Sequence, residues 1–92
     1  MKLSQDKITI AGRTYIINED ERFMFLFSAK EFLLGLLKGK KSLEWRFTNK
    51  LGFKEHWNIA VLNRDPDYCY VSIPYASESI KISKLIKMVK EG

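Results

Sequence analysis

The chain holds one cysteine, Cys69, and one histidine, His56, among its 92 residues. A lone cysteine excludes an internal disulfide and the stapled scaffolds of small secreted domains, so a cytoplasmic protein is expected. These two side chains also fall short of the four ligands of a structural zinc site. Asp65 and Asp67 flank Pro66 in a stretch whose turn chemistry already explains them. Neither GxxxxGK[ST] nor GxGxxG is present. No metal and no other cofactor is expected. Nucleophilic catalysis needs a nucleophile, a base and a group to orient the base. His56 stands beside Trp57 in "FKEHW", the setting of a packing or surface residue. Cys69 alternates with Val71 and Ile73 as a small buried hydrophobe does. No spacing ties the two together, and the chain reads as a protein that is not an enzyme.

Long apolar runs are missing as well. The greasiest stretch, "FMFLFSAKEFLLGLL", is broken by Lys30 and Glu31 and is too short to span a bilayer. A membrane-surface role ranks third and no membrane partner is expected, because the aliphatic face of the last helix is needed for the core. "MKLSQDKITI" lacks the apolar centre of a secretory signal. With no internal repeat, low-complexity segment or linker, residues 1–92 read as a single domain. Arginine is scarce too, four against twelve lysines. Lysine meets phosphate as a point charge, whereas bidentate reading of a guanine edge calls for arginine.

What is present is positive charge and aromatic side chains. Sixteen basic residues against eleven acidic ones give a net charge of +5, which favours nucleic acid or an acidic protein as partner. The twelve aromatics supply much of a small core.

"KITIAGRTYIIN" carries apolar β-branched residues on both sides of Ala11-Gly12 and predicts a hairpin over 7–18. Residues 19–38 admit two readings. Asn18 with Glu21 forms a possible capping box for one helix, while Ser28 with Glu31 forms a second box behind the aromatic run "RFMFLF". A strand over 22–27 followed by a helix over 29–38 is preferred, because one helix would be greasy on every side. "SLEWRFTNK" alternates as a half-buried strand, with Leu43, Trp45 and Phe47 on one face. "WNIAVLNRDPDYCYVSIPY" is the clearest hairpin, turning at "RDPD". After "SIKIS", which has strand character, a helix runs from about Ser83 to Glu91. On a helical wheel Leu85, Val89, Ile82 and Ile86 cluster about 40–140° from Lys81, while Lys84, Lys87 and Lys90 cover the other side.

The alternation has a second consequence. If Cys69, Val71 and Ile73 face the core, Tyr68 and Tyr70 point the other way, on the side that Arg46 shares. Tyrosines beside Arg46 and Arg64 on an open sheet face would make a stacking platform of the kind single-strand binders use. In the commoner arrangement a helix such as 29–38 covers that face, and both tyrosines are interlayer packing. The order of strand hairpin, "IKIS" and amphipathic helix resembles a transcriptional-coactivator family of single-strand binders, a likeness of layout over the last third of the chain. A winged-helix domain with residues 57–75 as wing is a second resemblance, and the acids of "RDPD" count against that wing gripping DNA.

These observations predict an α+β fold, a small antiparallel sheet of four to six strands with one short central helix and one C-terminal amphipathic helix. The function expected is nucleic-acid binding without catalysis, single strands favoured over duplex, through backbone contacts with little sequence preference. Arg46, Lys50, Lys54, Arg64, Tyr68, Tyr70, Lys81, Lys84, Lys87 and Lys90 are the candidate contacts. The alternative is an interaction module, a subunit or inhibitor, whose lysines bind an acidic protein. A homodimer is compatible with either.

Overall fold

The computed structural model describes residues 1–48, 51–74 and 76–92. Strands β1 (Lys2–Leu3), β2 (Lys7–Ile10) and β3 (Arg13–Ile16) form a three-stranded antiparallel sheet. Helix α1 (Glu19–Leu36) follows. Strands β4 (Ser42–Thr48), β5 (Lys54–Val61), β6 (Tyr68–Ile73) and β7 (Ala76–Lys81) then form a four-stranded antiparallel meander, closed by α2 (Ile82–Glu91). The α+β class and the C-terminal helix are as the sequence indicates. The strands divide between two sheets, and the two-residue β1 is too short for any period to reveal.

The β2–β3 hairpin turns on Ala11 and Gly12, with φ of 52° and 76°. Positive φ at both central residues is the geometry of a type I′ turn, whose twist matches the flanking strands. Alanine tolerates it poorly, because its Cβ crowds the carbonyl oxygen.

The preference for a strand over 22–27 and a helix over 29–38 is overturned: residues 19–36 form one helix. The Asn18 side-chain carbonyl accepts the Glu21 N–H at 2.8 Å, and Glu19, Asp20 and Glu21 place negative charge at the positive end of the helix dipole. At the other end Gly39 takes a φ of 82°, and the Lys40 N–H reaches back to the Gly35 carbonyl at 2.9 Å. The run is greasy all round because only one side packs inward. Phe25, Ala29, Phe32 and Gly35 are buried, while Phe23, Phe27 and Leu34 on the opposite side are exposed. Two buried elements would have been needed only if every apolar residue of the run were covered.

Both sheets and both helices share one core. Ile8 and Ile10 come from β2, Phe25 and Phe32 from α1, Leu85 from α2, and Trp57, Ile59, Cys69, Val71 and Ile73 from the inner face of the larger sheet. Trp57 is its aromatic centre, with ring centroids of Phe25, Trp45 and Phe47 at 5.9, 5.8 and 5.8 Å. Trp45, Phe47, Val61, Ile82, Met88 and Val89 pack half-buried around it.

Candidate functional site

The pairing register fixes which side chains leave the core side of the larger sheet. Trp45 faces Trp57, and Ile59 faces Val71, so these point inward. Arg46 faces His56, Thr48 faces Lys54, Ala60 faces Tyr70, and Tyr68 faces Lys81. By the period of two, all of these share the outer side. Phe25 and Phe32 of α1 and Leu85 of α2 are buried in the core on the inner side, so neither helix lies across the outer face. Arg46, Thr48, Lys54, His56, Tyr70, Ser79 and Lys81 are exposed on it. Tyr70 is exposed, whereas Tyr68 is half-buried at the edge where β7 runs into α2, beside Ile82, Ser83 and Ile86.

The face has two populated corners. Near the β4–β5 end, Arg46, Lys54 and His56 border a shallow hollow of about 340 Å³ that Phe47, Thr48 and Glu55 complete. At the β5–β6 end, Tyr68 and Lys81 border another of about 600 Å³, shared with Pro66, Asp67, Ile82, Ser83 and Ile86. Tyr68 and Tyr70 stand two residues apart, roughly 7 Å along the strand. Arg46 is not beside them. Four residues along the strands and two strand spacings separate the level of Arg46 from Tyr70, a diagonal of about 16 Å.

Electrostatically the face is positive but not uniform. Glu44 is the one acid at its described outward positions, and its carboxylate lies 3.4 Å from His56 Nε2. Tyr70 is tied by its hydroxyl to the Ser77 hydroxyl. His56 is absent from the candidate contacts drawn from sequence, yet it stands on the open face opposite Arg46. The alternation that puts Trp57 and Ile59 inside is the signal that could have placed His56 and Asn58 there.

The remaining candidates lie elsewhere. Arg64 is exposed in the β5–β6 loop, where the Asp67 N–H donates to an Asp65 carboxylate oxygen at 3.1 Å. Asp65 is thus engaged in shaping its own turn. Lys84, Lys87 and Lys90 are exposed on α2. Because Leu85 on that helix is buried against the inner side of the sheet, the three lysines look away from the core, on the far side from the tyrosines. The single basic surface expected from the sequence is therefore two surfaces, with Lys81 at their junction. Lys50 lies outside the described residues.

Cys69 and His56 point to opposite sides of the sheet. Burial pushes the Cys69 thiol up to about 11, against a smaller opposing effect of a backbone hydrogen bond, so it carries no thiolate at neutral pH. No helix among the described residues is long and apolar enough to cross a membrane. Comparison with protein-family models, with curated proteins and with solved structures finds no match for this chain.

Proposed function

We propose that this chain is a non-enzymatic nucleic-acid-binding protein that lays a single strand diagonally across the outer face of β4–β7. The observation that carries the reading is the open face itself. Two tyrosines project from one strand beside Lys81, and Arg46 and Lys54 wait at the opposite corner. Unpaired bases stack on aromatic rings, whereas a duplex hides its base faces, so single strands are favoured. Tyrosine stacking and lysine contacts to phosphate carry little sequence information, so the preference among sequences is weak. A single buried thiol suits a reducing compartment, and the cytoplasm is the proposed location.

The test is binding to single-stranded and duplex oligonucleotides across a salt series. Arg46, Lys54 and Lys81 on three phosphates give a log–log slope of about −2, at roughly −0.7 per contact. Absence of binding at low salt would end this reading. It would leave the second one, an interaction module whose α2 lysines, on a surface of their own, take an acidic protein.

A further inference from the structure

Opposite the side it buries, α1 carries a second apolar stripe that no other described element covers. Phe23, Phe27 and Leu34 fall within about 40° of one another around the helix, and they are 65%, 50% and 45% exposed. Leu37, at the C-cap, is 85% exposed. The rings of Phe23 and Phe27 stack at 6.1 Å and 19°. Scattered apolar side chains are normal on a surface, but three aligned on one helix face, interrupted only by Lys30 between Phe27 and Leu34, mark an interaction surface. Beside the N-terminal half of the row runs a groove of about 490 Å³, with Phe23, Leu26 and Phe27 on one wall, Val89 of α2 on the other, and Glu19, Arg22 and Lys30 at its polar rim.

We propose that this stripe joins two copies of the chain about a two-fold axis, α1 antiparallel to α1. The order of residues along the stripe is what selects a second copy. The midpoint between Phe23 and Leu34 is also the midpoint between Phe27 and Lys30, and between Glu19 and Lys38; it falls between Ser28 and Ala29. A two-fold axis at that level sets Leu34 of each copy over the groove at Phe23 of the other. It sets the Lys30 ammonium on the ring of Phe27, a favourable cation–π contact. It also brings the acidic start of α1, Glu19 and Asp20, toward Lys38 in the turn just beyond the end of the second helix. Parallel pairing would set acid on acid and lysine on lysine. Such self-complementarity is what an isologous contact requires, and an unrelated partner does not call for it. The helix is about 27 Å long, so the contact is modest and the dimer reversible, forming as concentration rises.

The proposal is independent of nucleic-acid binding, because the stripe belongs to α1 and not to the open sheet. Sedimentation equilibrium over a broad concentration series should show wild-type chain passing from monomer to dimer. Phe27→Glu should raise the dissociation constant about 30-fold or more, as removal of a hot-spot side chain does, while its circular dichroism melt stays that of wild type. The orientation is read by oxidation. Phe23→Cys chains mixed with Leu34→Cys chains should form a mixed disulfide. Phe23→Cys alone should not, since its two copies stand about 16 Å apart along the axis, beyond disulfide reach. Wild-type chain that stays monomeric at every concentration, an unchanged dimer in Phe27→Glu, or a disulfide from Phe23→Cys alone would each overturn the proposal.

Discussion

The hydroxyl of Tyr70 on β6 meets the hydroxyl of Ser77 on β7, diagonally across a ladder in which Tyr70 itself faces Ser79. The bond holds the ring in one orientation on the open face, which would lower the entropy cost of the base stacking proposed for it. Tyr70→Ala should therefore weaken single-strand binding by about 1–3 kcal/mol, the worth of one stacked base, with a smaller effect on duplex. Since Tyr70 is 39% exposed, the melting temperature should hardly move. Fluorescence anisotropy alongside a thermal melt checks both. A variant that unfolds would mean the ring is part of the core after all.

The two basic surfaces can be separated by salt dependence. Under the proposed function, Arg46→Glu with Lys54→Glu removes two cationic side chains from the sheet face and should flatten the slope by about 1.4, whatever the length of the oligonucleotide. Lys84→Glu with Lys87→Glu acts on the far side of the molecule. It should leave a short oligonucleotide unaffected and flatten the slope only for strands long enough to round the edge at Lys81. Equal effects of the second pair on short and long strands would place the binding path along α2.

The Ala11-Gly12 turn invites a stabilising change. Alanine at a φ of 52° carries a steric cost of roughly 1–2 kcal/mol that asparagine largely escapes through local hydrogen bonding. Ala11→Asn should raise stability by about 0.5–1 kcal/mol, read as a higher urea midpoint at unchanged m-value.

Cys69 links stability to pH in the alkaline range. Its thiol has an ordinary value of 9.0 and stands at about 11 in the fold, so above pH 9 the unfolded chain gives up its proton first. The stabilisation is present in full below 9 and disappears as pH rises toward 11. The comparison is with Cys69→Ala, so that every contribution other than the thiol cancels. The gap in urea midpoint between wild type and that variant should narrow steadily from pH 9 to 11. A constant gap would show that the thiol ionises within the fold as readily as outside it.

Alternation made the larger sheet legible. Once Leu43, Trp45 and Phe47 point one way, the register carries Trp57, Ile59, Val71 and Ile73 to the same side, and the aliphatic face of α2 meets them at Leu85. The same period names Tyr68 and Tyr70 as outward side chains. Whether anything covers them depends on where the helices lie, and periodicity holds no information about that. Residues 22–27 mislead because aromatic density raises strand propensity, while the Asn18 cap and the core packing of Phe25 and Phe32 favour the helix. The separation of the α2 lysines from the sheet face is illegible for a related reason. Lys81 and Lys84 are three residues apart, yet the chain passes from strand to helix between them, and their side chains leave on different sides.

Each of the five described ladders joins strands that are neighbours in the chain. No loop spanning another element must close before a sheet can form, so the entropic barrier of assembly is low and folding should be fast for a β-rich domain. The slow event is then the meeting of the two halves, where Phe25 of α1 reaches Trp57 of β5. The open face is built wholly within the second half, from β4 to β7. Its tyrosines can thus reach their final spacing as the meander zips, ahead of the docking that completes the core.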